Sequence, residues 1–380
     1  MLRFNWVAPL RISPHDPKTL YAGAQVLFRS RDRGETWQEI SPDLTTNDPE
    51  KISPPGAAIQ HCTITTIAES PAQPGVIWVG ADDGKTQVTK DAGGSWNDVT
   101  KAIAKAGGPE DAWVTRVFAS HHKAGVAYVA KSRLRQDDFR PFLCKTTDFG
   151  ATWTPIVDGL PRSSINVVFE DQQNPELLFV GNDMGVYVSL DGGNHWSALK
   201  GNMPLVAVHD LVVHPREGDL VVGTYGRGIW ITDITPLREI NEALLAGDAH
   251  FFAVRPRAWR REGALGNYHL HGDRLAVTQN EPNGLTFAYY LKEQAKDKVT
   301  LTVADAGGKT VRTLDGTAKA GINRIVWDMS EANRAPGAGF RPPGAEIRTV
   351  AAGEYLVTLR IGEKQLTQKA RILAAAGAEP

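Results

Sequence analysis

The sequence predicts an all-β chain: a β-propeller of about five blades, closed or partial, followed by a small β-sandwich of immunoglobulin or fibronectin type. Three observations predict it. A Ser/Thr-x-Asp-x-Gly-x-Thr/Ser-Trp segment occurs four times in the first two thirds of the chain. A short β-rich run ending in a small residue precedes each copy. From Gly284 onward, short strand-like runs alternate with turns. The expected boundaries are a propeller over 1–235, a short helix and extended connector over 236–283, and a sandwich over 284–376.

The repeated segment reads Ser30-Arg-Asp32-Arg-Gly34-Glu-Thr36-Trp37, then Thr89-Lys-Asp91-Ala-Gly93-Gly-Ser95-Trp96, then Thr146-Thr-Asp148-Phe-Gly150-Ala-Thr152-Trp153. The fourth copy, Ser189-Leu-Asp191-Gly-Gly193-Asn-His195-Trp196, carries His195 in place of the second hydroxyl residue. Copies stand roughly 40–60 residues apart, which suits one four-stranded blade per repeat plus insertions. The preceding runs are Leu20–Gly23, Ile77–Gly80, Ala127–Ala130 and Leu178–Gly181, with a fifth at Leu220–Gly223. Their β-branched and aromatic content and their turn punctuation favour strands. Blade 4 gives the plainest pattern, with strands over Ile165–Glu170, Leu177–Gly181, Val186–Leu190 and His195–Leu199. Each box is expected at the hairpin between the third and fourth strands. There Asp accepts bonds from turn amides, Gly takes a backbone angle that side chains obstruct, and Trp packs back on the blade. Asp32, Gly34, Trp37, Asp91, Gly93, Trp96, Asp148, Gly150, Trp153, Asp191, Gly193 and Trp196 are therefore read as structural.

Blade 5 has strand runs over Val206–Val213, Leu220–Gly223 and Gly228–Ile231, yet Asp233-Ile-Thr-Pro236 follows where a box is expected. Leu2–Trp6 is a candidate for its missing outer strand, which would close the ring; in a longer parent it would instead finish the preceding blade and leave an open arc. Leu237–Leu245 has helical spacing and reads as one short helix. The Pro/Arg/Gly-rich stretch Arg255–Gly263 reads as a solvated linker. The sandwich strands are expected at Leu285–Leu291, Val299–Ala304, Thr310–Leu314, Gly321–Asp328, Gly353–Ile361 and Leu366–Ala374, with Glu331–Arg348 as a loop.

Composition narrows the function. The 380 residues carry a net charge of −1, so there is no overall basic field for gripping a phosphate backbone, and nucleic-acid binding is not expected. No apolar run approaches the ~18 residues of a membrane-spanning helix. Cys62 and Cys144 make no disulfide framework and show no metal-ligand spacing. His269-Leu-His271 lacks a third ligand, His121-His122 reads as a polar turn, and Gly226-Arg-Gly228 is followed by no helix. No metal and no cofactor is expected.

The box resembles the Asp-box, or bacterial neuraminidase repeat, of sialidases, xyloglucanases, photosystem II assembly factors and sortilin-type receptors. Phe28–Trp37 running into Ile40–Thr45, together with Gly223–Ile231, is similar to the large bacterial sortilin-like propeller proteins, often labelled glycosyl hydrolases by repeat alone. The resemblance covers nearly the whole chain and matches the C-terminal portion of those longer, exported proteins. It carries no catalytic residue onto this sequence. It implies an exported protein if a leader precedes these residues, and a cytoplasmic one if Met1 is the true start.

The long connections Ser41–Gln60, Asn97–Ala112 and Lys131–Pro141 fall on the end of the blades opposite the boxes. Insertions gathered at one end mark the binding face of a repeat array. Residues expected there are Asp82, Asp83, Lys85, Arg133, Arg135, Asp137, Asp138, Asn182, Asp183, Tyr225 and Arg227. The expected function is a non-catalytic binding or scaffold propeller for a peptide, protein or glycan. The alternative is a polysaccharide-active glycoside hydrolase or its accessory half, for which Asp82, Asp83 and Asp183 would supply paired carboxylates.

Overall fold

The computed structural model describes residues 2–52, 60–258, 282–331 and 350–374. His269 and His271, residues 259–281 of the connector, 332–348 of the sandwich loop, and 53–59 of the first long connection lie outside them. The chain divides into two compact units, Met1–Arg238 and Glu239–Pro380.

The first unit is a β-propeller of five consecutive antiparallel meanders. Blade 1 comprises β1 (Leu10–Ile12), β2 (Leu20–Gly23), β3 (Leu27–Ser30) and β4 (Gln38–Glu39). Blade 2 follows with β5 (Ile64–Glu69), β6 (Ile77–Ala81), β7 (Thr86–Thr89) and β8 (Asn97–Asp98). The third has β9 (Trp113–Ala119), β10 (Ala127–Arg133), β11 (Asp138–Thr146) and β12 (Thr154–Pro155). Blade 4 is β13 (Ile165–Glu170), β14 (Leu178–Asn182), β15 (Gly185–Ser189) and β16 (Ser197–Ala198). Blade 5 stops at three strands, β17 (Val208–Val213), β18 (Asp219–Thr224) and β19 (Ile229–Asp233).

Leu2–Trp6 does not supply the fourth strand. Arg3 pairs with Asp43 at 2.7 Å and donates to the Cys62 carbonyl, while Asn5 donates to Asp82 and the Gln60 carbonyl. Those bonds tie the segment to blades 1 and 2.

The four boxes share one hydrogen-bond pattern. In blade 1, Ser30 Oγ donates to Asp32 and accepts from the Gly34 amide, while Asp32 accepts from the Thr36 amide and hydroxyl. The same bonds recur around Asp91 and Asp148. In blade 4, His195 keeps the amide bond to Asp191 and turns its ring to Asp158 at 2.9 Å. Gly34, Gly93, Gly150 and Gly193 all have positive φ, which only glycine adopts freely. The bonds from Thr36 and Ser95 hold the Asp32 and Asp91 carboxyls down at about 2.

Three box tryptophans reach the preceding blade, and Trp153 also donates to the Gly150 carbonyl of its own box at 3.1 Å. Trp96 donates to the Ile40 carbonyl of blade 1, Trp153 meets Trp78 of blade 2 edge-on at 5.9 Å, and Trp196 donates to the Ile156 carbonyl after blade 3. Each apolar cluster in turn bridges one pair of consecutive blades. Tyr21 and Leu27 pack with Ile64 and Ile67, and Trp78 and Val88 with Val114 and Val117. Tyr128 and Leu143 meet Ile165 and Val168, and Phe179 and Val188 meet Val208 and Leu211. The core of this unit is thus four inter-blade seams. Cys62 and Cys144 are buried free thiols.

The second unit is a β-sandwich. One sheet has the order β20 (Ala249–Phe251), β22 (Leu285–Leu291), β25 (Gly321–Trp327). The other runs β21 (Arg257–Ala258), β27 (Lys364–Leu373), β26 (Gly353–Ile361), β23 (Val299–Ala304), β24 (Thr310–Asp315). Alternate residues of both sheets, among them Phe287, Tyr289, Leu301, Trp327, Val357 and Leu359, fill the space between them. Two strands, β20 and β21, lie within the stretch read as connector. The single helix expected over Leu237–Leu245 is two short helices, Thr235–Glu239 and Glu242–Ala246. Asn241 interrupts it, because its side chain caps the second helix by accepting from the Leu244 amide at 2.9 Å.

Candidate functional site

The expected binding residues lie at the hairpins between the second and third strands of blades 2–5, the end of the blades that also carries the long connections, and local bonds engage the majority. Asp82 is buried, accepting from the Thr63 amide and hydroxyl and from Asn5. Burial raises its carboxyl above the usual range, yet no solvent reaches it. Asp83 is likewise buried and holds Thr46 through its amide and hydroxyl. Lys85 pairs with Asp98, Arg133 with Asp111, and Asp183 accepts from Asn166. Asn182 is buried and caps the Met184 amide. These groups shape the loops.

Others remain available. Strands β10 and β11 run past the corresponding strands of neighbouring blades and carry Arg135, Asp137, Asp138 and Arg140 in a projecting hairpin. Arg135 lies 4.3 Å over the Trp113 ring. Asp138 binds Arg140 through both carboxylate oxygens, which holds its carboxyl down at about 2. Tyr225 is exposed and stacks on His209, with ring centroids 5.3 Å apart. Arg227 stands exposed beside it.

Sequence reasoning missed the apolar members of this end. Leu134 and Phe139 on the projecting hairpin, Met184 in the blade 4 turn and Leu205 before blade 5 are all exposed. Apolar residues inside turns, where polar ones normally stand, were the available signal. Together with Tyr225 and four arginines (Arg133, Arg135, Arg140, Arg227), they give this end the aromatic, Met and Arg composition of protein-binding surfaces.

A second feature lies at the propeller centre. A cavity of about 260 Å³ is lined by the inner strands of all five blades, among them Arg11, Glu69, Arg116, His121, Phe169 and Asp210. It lies toward the turns that follow the inner strands, away from the long connections. Arg116 of blade 3 pairs with Asp210 of blade 5 at 2.7 Å across it. Among the described residues, no group of three or more His, Cys, Asp or Glu side chains is placed to hold a metal ion. No helix among them is long and apolar enough to cross a membrane.

No family model matches the chain. The chain is similar to the basal-body rod modification protein FlgD of Escherichia coli (strain K12), 37% identical over 68 residues, which cover 17% of this chain and 27% of that protein. The chain therefore spans about a quarter of the relative it matches. Among solved structures it is similar to the GH74 xyloglucanase from Xanthomonas campestris, at 22% identity and a TM-score of 0.46, covering 59% of this chain and 36% of that one. It is also similar to YCF48 bound to D1 peptide, at 13% identity and a TM-score of 0.40, covering 86% and 96%. A third is PorZ of the type-IX secretion system of Porphyromonas gingivalis, at 14% identity and a TM-score of 0.37, covering 96% and 51%.

Proposed function

We propose that this chain is a non-catalytic binding propeller of the exported, sortilin-like Asp-box kind, and that it takes a peptide or protein segment on its loop-rich end. One observation carries the reading: exposed Leu134, Phe139, Met184, Leu205 and Tyr225 are gathered at that end among four arginines. Large apolar groups with polar handles are anchors for a macromolecular partner. A glycoside hydrolase needs two accessible carboxylates about a bond. Asp82 and Asp83 are buried in loop bonds, and Asp183 holds Asn166.

The test is selection of a phage-displayed random peptide library on the full chain, with hits re-measured on Tyr225→Ala/Arg227→Ala and Leu134→Ser/Phe139→Ser variants. Losses of about tenfold or more in affinity with both variants support the reading. Hits insensitive to both would overturn it. So would release of reducing ends from an oligosaccharide panel by the wild-type chain.

A further inference from the structure

The five inner strands share one register at the propeller centre. The amides of Ser13, Ser70, Ser120, Asp171 and His214 each donate to a carbonyl at the start of the second strand of the same blade. Two residues before them stand Arg11, Ala68, Phe118, Phe169 and Val212, so these five are equivalent, and all five line the central cavity. Phe118 and Phe169 lie 5.0 Å apart, and the His121 ring is within 5.9 Å of both. Blades 3 and 4 thus supply an aromatic wall. Burial favours the neutral form of His121, which adds no charge to it.

Four charged side chains line the same space. Arg116 and Asp210 neutralise each other. One cation and one anion remain, Arg11 of blade 1 and Glu69 of blade 2. The Arg11 guanidinium stands near Arg116 and donates to no described residue. Glu69 takes the Gly75 amide on Oε1 at 3.1 Å, while its buried Oε2, near the Tyr21 hydroxyl, takes no hydrogen bond. Arg116 Nε and His121 Nε2 are buried without a partner as well. Folded proteins rarely leave buried polar atoms unmatched, and three of them border this one cavity.

We infer that the central cavity binds a free α-amino acid with an aromatic or branched aliphatic side chain. Its carboxylate meets Arg11 and the Arg116 Nε–H, its ammonium meets Glu69 Oε2, and its side chain lies against Phe118, Phe169 and Val212. A ligand with a single charge would leave either Arg11 or Glu69 unmatched. Size points the same way: the cavity of about 260 Å³ is below the ~300–1,000 Å³ that holds drug-sized molecules. This site is separate from the loop-rich end, so either can fail without the other.

Isothermal titration of the full chain tests the inference with three probes. L-Phenylalanine carries both charges, 3-phenylpropanoate lacks the ammonium, and L-phenylalaninamide lacks the carboxylate. L-Phenylalanine should bind with a Kd of about 1 mM or tighter. Each analogue should bind about tenfold or more weakly than L-phenylalanine, since each leaves one charged group unpaired. Arg11→Met should weaken L-phenylalanine about tenfold and leave L-phenylalaninamide unchanged. Glu69→Gln keeps an acceptor for the Gly75 amide; it should weaken L-phenylalanine and leave 3-phenylpropanoate unchanged. Absence of saturable binding of both L-phenylalanine and L-leucine would overturn the inference. So would either analogue binding as tightly as L-phenylalanine, or losses shared by all three probes in both variants. If a variant fails to fold, the wild-type ranking of the three probes decides.

Discussion

Replacing Gly181 with alanine tests the inter-blade seams most directly. The added methyl would stand 2.5 Å from Val208 Cγ1 and 2.7 Å from Val167 Cγ1, in a region where both valines are buried. Overpacking of this kind costs about 1–3 kcal/mol. Loss of glycine's unfolded-state freedom returns about 0.4–1 kcal/mol, leaving a net cost of about 1.3 kcal/mol at the midpoints and about 2 kcal/mol or more toward the upper end that two clashes below 3 Å imply. For a unit of this size that lowers the melting temperature by about 2–8 °C. Gly223→Ala is the control, since its methyl meets only a carbonyl at 3.5 Å. It should be neutral or stabilise the chain by up to about 1 kcal/mol. Calorimetry or tryptophan fluorescence on both variants, with urea titration for the free energies, gives the comparison. Equal effects of the two substitutions, or a Gly181→Ala chain as stable as wild type, would refute the claim that inter-blade seams hold this unit together.

Trp196→Ala empties a fully buried site between blades 3 and 4 and should cost about 3–5 kcal/mol, whereas exposed Trp37→Ala should stay within about 1 kcal/mol, both read by urea unfolding. Arg238→Met should cost about 3–5 kcal/mol by the same measurement, because it strands the fully buried Asp171 that its guanidinium binds at 2.8–3.1 Å. Lys131 is buried with its ammonium on the Gly84 and Pro109 carbonyls, and burial pulls it from 10.5 down to about 8. A depressed lysine disfavours the folded state while charged, so stability should rise by up to about 3 kcal/mol as pH climbs from 8 to 10.5. Lys131→Met should flatten that rise in equilibrium unfolding measured across the range.

The repeated hairpins were legible in the sequence because each box carries its whole turn chemistry within eight residues: Ser30, Asp32, Gly34 and Thr36 satisfy one another locally. The strand runs were legible for the same reason, as Leu285–Leu291, Val299–Ala304 and Gly353–Ile361 alternate cleanly enough to fix their limits. What stayed hidden depends on partners distant in sequence. Nothing near Asp83 reveals that Thr46 will occupy its carboxylate, and nothing near Arg116 announces Asp210. The reach of Trp96, Trp153 and Trp196 to the preceding blade is hidden in the same way, because a motif shows its spacing and conceals its neighbours. Leu2–Trp6 looked like a strand by pattern, but Arg3 and Asn5 are better satisfied against Asp43 and Asp82 than in a ladder.

Because each sheet of the propeller leans only on the next, resistance to local opening should vary along the array. Interior sheets are clasped from both sides, whereas the terminal ones lose half that support, as in other quasi-one-dimensional proteins. Backbone amides of β9 and β10 would then exchange with deuterium most slowly, and those of β1 and β19 most quickly. Within the propeller, a protease would open blades 1 and 5 before blade 3.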